Sequence, residues 1–273
     1  MDTKTWWGRH STQLERVDYW QIGPLRLWVH PLPYRMCLTW AHQGDWLNPH
    51  VRTGPGEQTE PPPLAAKTVT CAYGHGAKDD LNFAPMLPDR AMIVRLNSEL
   101  HILPGEEVSL FILTPLSLRI EQAKPEKNLH EIPIYRASDT WFGPMDSTGS
   151  LSYASPSRAY LDLKEVPLRP HTAITAITIR NLGGTQLHLD RINVPSTRLS
   201  LFHSQATGFW TNRLTLERRD DDEMAHLRLD KQPPPEASPT QFICGPRAPE
   251  TDAIPAMRAF SRIFSQTQKD TAG

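Results

Sequence analysis

Twenty-six prolines are scattered along this chain of 273 residues, well above the usual share of about 5%. Proline has no N–H to donate and clashes with the preceding helical turn, so long helices are disfavoured wherever it recurs. Between the prolines lie short runs in which apolar and polar residues alternate, the period of a half-buried strand. Leu25-Arg-Leu-Trp-Val-His30 and Arg35-Met-Cys-Leu-Thr-Trp40 alternate in this way around Pro31-Leu-Pro-Tyr34, which predicts a hairpin. In Leu103-Pro-Gly-Glu106 proline presets φ and glycine supplies a positive one, so a tight turn is expected before the strand Glu107–Leu113. Other strand-like runs occupy 68–72, 91–95, 100–103, 116–120, 157–163, 173–180, 186–192, 199–202, 209–217, 224–229 and 240–244. Asn181-Leu-Gly-Gly184 reads as the turn of a further hairpin. Turns about every ten residues are the rhythm of a β-sandwich or barrel.

The expected fold is mainly β: two β-sandwich-like halves of antiparallel strands, with one C-terminal amphipathic helix. Residues 1–131 form a Trp-rich N-terminal half, 132–245 a second half, and 246–273 a tail carrying the helix. Met257, Phe260, Ile263 and Phe264 stand at helical spacing within about Ile254–Gln268. Their face is read as docking on the protein's own sheet or on a partner. Six of eight tryptophans lie at Trp6, Trp7, Trp20, Trp28, Trp40 and Trp46, and they read as core filling ahead of a stacking platform. Gly54-Pro-Gly56 with Glu60-Pro-Pro-Pro63, and Lys231–Pro239, read as extended loops. Leu100–Ile120 and Leu168–Ile192 share a form, a proline-bearing lead-in and two alternating runs around a short break, as a duplicated half would.

Composition excludes several functions. Lys plus Arg (29) nearly balances Asp plus Glu (30), so no global field would draw nucleic acid or an anionic membrane. Cys37, Cys71 and Cys244 are odd in number with no close pair, which fits neither a disulfide framework nor a zinc motif and suits a reducing compartment. The first ten residues hold no apolar targeting core, and no run is long and apolar enough to span a bilayer. A cytoplasmic protein is expected. No phosphate loop, dinucleotide fingerprint, H-E-x-x-H or G-x-S-x-G is present, so no catalytic residue, metal ligand or cofactor is assigned.

Weaker chemistry remains. His188-Leu-Asp190 sets an imidazole and a carboxylate on one strand face, and Tyr73-Gly-His-Gly76 precedes Asp79-Asp80. Both read as solvent-facing segments, as does the charged tip Arg218–Glu223. The densest cluster lies in Ile132–Tyr153. Arg136 would serve an anion, Trp141 would stack, and Asp139 sits three residues from Arg136, within reach of an ion pair in a turn. With Phe142 and Tyr153 these are the candidate ligand or partner residues, and the segment reads equally as an aromatic corner between sheets.

Taken together, Gly23-Pro-Leu-Arg-Leu-Trp28, Pro104-Gly-Glu-Glu-Val108, Thr114-Pro-Leu116, Ser138-Asp-Thr-Trp-Phe-Gly-Pro144, Tyr153-Ala-Ser155 and Leu168-Arg-Pro-His171 resemble the bacterial and archaeal domain-of-unknown-function family 432, over roughly residues 6–245. The resemblance implies no reaction. It implies an accessory role beside small-conductance mechanosensitive channels. The expectation is therefore a non-enzymatic protein–protein interaction or accessory module, with a protein partner or homo-oligomer and peripheral membrane association through a partner. The alternative is a small-molecule or carbohydrate binder or enzyme with its pocket near the Trp141 loop.

Overall fold

The computed structural model describes residues 5–52, 61–72, 80–123, 126–145, 149–220, 224–248 and 257–261. Strands dominate them, and the helical content is three single-turn 3₁₀ segments, Leu163–Glu165, Ser196–Arg198 and Pro235–Ala237. The strands form four sheets. The first is wholly antiparallel and holds Val51–Arg52, Asp18–Ile22, Leu25–Leu32, Arg35–His42 and Lys67–Ala72, in that order. Its central pair is the hairpin expected around Pro31–Tyr34, with Tyr34 at φ 63°.

The second sheet orders Gly8–Ser11, Asp80–Met86, Ser117–Ala123 and Glu126–Pro133. The third orders Asp139–Phe142, Ser150–Arg158, Met92–Ile102, Leu187–Val194 and Phe260–Ser261. The fourth runs Gln241–Cys244, Leu201–Ser204, Gly208–Thr211, Thr172–Asn181, Leu214–Arg218, Met224–Leu229 and Met257–Arg258, and Glu107–Pro115 lies along the other side of Thr172–Asn181. Not every pairing is antiparallel, as had been expected. Ser150–Arg158 runs parallel to Met92–Ile102, and Thr172–Asn181 runs parallel to both Gly208–Thr211 and Leu214–Arg218. Thr172–Asn181 shows why: every residue but Arg180 is buried, the signature of a strand covered on both faces, as parallel pairing demands.

Asn181–Gly184 does not close a hairpin. Thr172–Asn181 pairs with Glu107–Pro115 in the fourth sheet, while Leu187–Val194 pairs with Met92–Ile102 in the third. Met92–Pro115 and Thr172–Val194 are thus two arches, each passing between the third and fourth sheets, laid side by side; the segments that share a form in sequence overlap them only in part, since residues 117–120 lie in the second sheet. The Leu103–Glu106 turn forms as expected, with Gly105 at φ 83° and the Glu106 N–H donating to Leu103 O at 3.1 Å. Asn181 stitches it to the second arch: its N–H donates to Glu106 O at 3.0 Å and its carbonyl accepts from the Gly105 N–H at 2.8 Å.

The expected C-terminal helix is corrected where it can be seen. Met257–Arg258 pairs with Met224–Ala225, and Phe260–Ser261 with Arg191–Ile192. Two sheet edges with free backbone donors and acceptors capture this segment, and Ala259 and Phe260 are buried. The three-residue spacing of Met257 and Phe260 therefore reflects two short strands on two sheets. Ile263 and Phe264 lie outside the described residues, as do Gly74–Gly76 and Asp221–Glu223.

The largest buried apolar cluster runs from Trp6 to Phe260 and draws on all four sheets. Trp20 of the first sheet meets Phe83 of the second with ring centroids 5.1 Å apart. Trp6, Trp20 and Trp28 are buried and Trp7, Trp40 and Trp46 half-buried, which agrees with tryptophan as core filler. Pairings also cross residue 131, since Ser117–Ala123 joins Glu126–Pro133 and Glu107–Pro115 joins Thr172–Asn181.

Candidate functional site

Three crossings between sheets converge on one place. Asp80–Met86 continues through Leu87–Ala91 into Met92–Ile102, Glu107–Pro115 passes Leu116 into Ser117–Ala123, and Glu126–Pro133 continues through 134–138 into Asp139–Phe142. Pro88, Pro115 and Pro133 stand at these exits, where a residue without an N–H ends a ladder. The crossings are tied to each other and to the frame. Leu116 N–H donates to His171 O at 2.9 Å, Ile134 N–H to Leu116 O at 2.9 Å, and Ala154 N–H to Ser138 O at 2.8 Å.

Between the crossings and the first sheet opens a cleft of about 780 Å³, within the range of small-ligand sites. Trp40, His42 and Lys67 from the first sheet form one wall. Asp89, Arg90, Asp139 and Tyr153 form another, and Glu131, Arg136 and Arg247 complete it. Its carboxylates are engaged. Arg90 bonds Asp139 at 3.0 Å and lies over the Tyr153 ring at 5.1 Å. Tyr153 donates its hydroxyl to Asp89 Oδ1 at 2.9 Å, and burial together with that carboxylate raises its pKa. Glu131 takes both Arg247 and Arg119, the latter at 3.4 Å. Lys67 and Arg136, by contrast, have no acidic partner among the described residues.

His42 reports on those two cations. Its Nε2 lies 2.7 Å from Pro133 O, and since a carbonyl only accepts, Nε2 carries the proton and Nδ1 is left to titrate. The protein mass crowded around this ring at the rim lowers its pKa by desolvation, and the nearby charges of Lys67 and Arg136 lower it further against the opposing effect of the Pro133 bond.

The sequence candidates divide. Arg136, Asp139 and Tyr153 line the cleft. Arg136 and Asp139 do not pair with each other, because Asp139 opens an extended strand and meets Arg90 instead. Trp141 lies on that strand away from the cleft, 41% exposed, with its Nε1–H donating to Pro144 O at 2.7 Å. Its ring rests so close over Gly149 that a Cβ there would stand 2.4 Å from Nε1. Phe142 is buried in the core. His188 faces His101 across the strands with ring centroids 4.4 Å apart, and no group of three His, Cys, Asp or Glu able to hold a metal occurs among the described residues.

Reading along the chain missed His42, Lys67, Asp89, Arg90, Glu131 and Arg247, and named Trp40 only among tryptophans read as core filling ahead of a stacking platform. The one local signal was proline at each exit; Lys67 reaches the site only through the register that sets it opposite Trp40. No helix among the described residues is long and apolar enough to cross a membrane. A family model described as "Protein of unknown function (DUF432)" matches residues 6–257. No curated protein and no solved structure matches the chain.

Proposed function

The chain belongs to the DUF432 family, and on that premise we propose that it is a β-sandwich-like binding protein whose cleft takes an anionic, planar small molecule between Lys67 and Arg136. One observation carries this reading: each carboxylate of the cleft is engaged while two cations beside His42 are not. Unneutralised cations in a concave site favour an incoming anion. Arg136 offers a fork for a carboxylate, sulfonate or phosphate, and Trp40 and Tyr135 on the walls supply aromatic surface.

The probe is 1-anilinonaphthalene-8-sulfonate, an aromatic sulfonate with a planar naphthalene ring, followed by fluorescence on the folded protein. The double variant Lys67→Gln/Arg136→Gln is expected to bind it about tenfold more weakly, or about 1.4 kcal/mol. Binding should also strengthen as pH falls. In the free protein desolvation lowers the His42 pKa; an anion beside the ring favours the imidazolium, so the complex takes up a proton and affinity rises as pH falls. His42→Gln should flatten that profile. Equal affinity in wild type and double variant, both with native circular dichroism, would refute the reading.

A second reading has its own observation. Trp141 (41% exposed) and Leu151 (49% exposed) are cross-strand partners at the outer edge of the third sheet, and an open edge strand accepts a strand from a partner. The interaction module, the homo-oligomer and a cytoplasmic accessory role beside a membrane channel belong with this reading. Light scattering is then expected to find a dimer that Trp141→Lys dissolves; a wild-type monomer that retains no partner would remove it.

A further inference from the structure

On the third sheet three arginines stand in one row. Arg158 is opposite Arg95 in the parallel pairing with Ser150–Arg158, and Arg191 is opposite Arg95 in the antiparallel pairing with Leu187–Val194. Residues paired across strands point to the same face. Like charges directly opposite each other destabilise a sheet, so this alignment works against the fold. Irregularities on both sides produce it. One register shift falls between Ala154 and Arg158 and another between Leu189 and Arg191. In the second, the segment 96–99 bulges out against the single residue Asp190, and bulges recur where a side chain is re-aimed for function.

The bulge opens a groove of about 400 Å³ beside Arg95, Asn97, Glu99, Asp190 and Arg191. Asp190 Oδ2 bonds Arg191 Nε at 3.2 Å, and Arg158 Nη1 donates to the bulge carbonyl of Leu96 at 3.0 Å. These contacts fix the two flanking guanidinium groups. Arg95, in the middle, is exposed and has no acidic partner among the described residues. Strands about 4.8 Å apart give the row a span of roughly 10 Å. A chain of phosphates matches that span better than a single phosphate does.

We propose that this row is a binding site for an oligophosphate chain, with Arg95 as its anchor. Guanidinium forks match phosphate oxygens two at a time, and the carboxylates of Asp190 and Glu99 in the same groove hold the affinity to a moderate level. Free oligophosphate and the chain of a nucleoside triphosphate share this chemistry. Isothermal titration at low salt with inorganic triphosphate, ATP and orthophosphate separates them. Triphosphate is expected to bind at least about tenfold more tightly than orthophosphate, more weakly as salt is raised, and at least about tenfold more weakly to Arg95→Gln. ATP binding as tightly as triphosphate would make the nucleotide a ligand; triphosphate without ATP would restrict the site to the free chain. The exposed position of Arg95 keeps the variant folded, which its melting curve checks. No binding of triphosphate, orthophosphate binding as well as triphosphate, ATP binding without triphosphate, or Arg95→Gln binding unchanged would each overturn the proposal.

Discussion

Gly23→Ala is expected to leave little folded protein. Gly23 sits at φ 55°, the left-handed region, and a Cβ there would stand 2.5 Å from His171 Cε1 and 2.6 Å from Nδ1. The imidazole has nowhere to retreat: it is fully buried, and its Nε2 bonds Trp46 O at 2.7 Å. Left-handed backbone costs a residue with a Cβ roughly 1–2 kcal/mol, and overpacking adds about 1–3 kcal/mol. Their sum, about 2–5 kcal/mol, is a large part of a typical domain's stability. The contact also belongs to a wider clasp. Trp6 Nε1 donates to Pro170 O at 2.6 Å and Arg169 Nε to Leu47 O at 2.5 Å, so the N-terminal segment and the first sheet close on 168–171 together. The double variant Gly23→Ala/His171→Ala tests the cause. Denaturant titration should find it less destabilised than the sum of the single variants, because the second change removes the ring that the first collides with. Strict additivity would show that the clash is not the reason.

Asn181→Leu is the other change with a large expected effect. Asn181 and Arg218 are both fully buried. The Asn181 amide donates to Ile102 O and Thr185 O, each at 2.9 Å, and its oxygen accepts from Gly183 N–H at 3.3 Å and Arg218 Nη1 at 3.2 Å. Arg218 in turn reaches Thr185 O at 2.8 Å and Thr185 Oγ1 at 3.1 Å. A leucine of similar branching takes the place but strips partners from buried groups, each loss costing about 1–3 kcal/mol. A total of about 3–5 kcal/mol is expected in urea titration. Arg218→Met should be comparably damaging alone, and the pair together should cost less than the sum, since groups that lose each other are then removed together. A loss under about 1 kcal/mol for Asn181→Leu would mean that the two arches are held by their strands and not by this network.

The two positions also show what could be read along the chain and what could not. Gly23 and His171 each stand in a motif that carries the family resemblance, yet nothing in either motif says that one packs on the other, since the two lie in different halves of the chain. Strands were legible because alternation is local: the hairpin of Leu25–Leu32 with Arg35–His42 and the Leu103–Glu106 turn follow from their own residues. Which strand a strand pairs with is a non-local matter. Asn181–Gly184 has the composition of a hairpin turn, and what makes it an arch is the presence of Met92–Pro115 alongside. Met257 and Phe260 fit a helix until two sheet edges compete for them. The cleft was half legible for the same reason. Arg136, Asp139 and Tyr153 stood out because they cluster in sequence, whereas His42, Lys67 and Arg247 arrive from distant parts of the chain, and only the tertiary fold brings them to one cleft.

The side-by-side arches also set a timetable for the chain as it is made. Met92–Ile102 finds its partners in Ser150–Arg158 and Leu187–Val194, and Glu107–Pro115 finds its partner in Thr172–Asn181. Synthesis adds roughly 5–20 residues each second, so the interval between residues 115 and 172 takes about 3–11 s. Through that time one arch waits on the ribosome with its apolar strand edges open to any neighbour. Slowing or crowding the nascent chain within that window therefore threatens solubility more than the same disturbance after residue 194 has emerged.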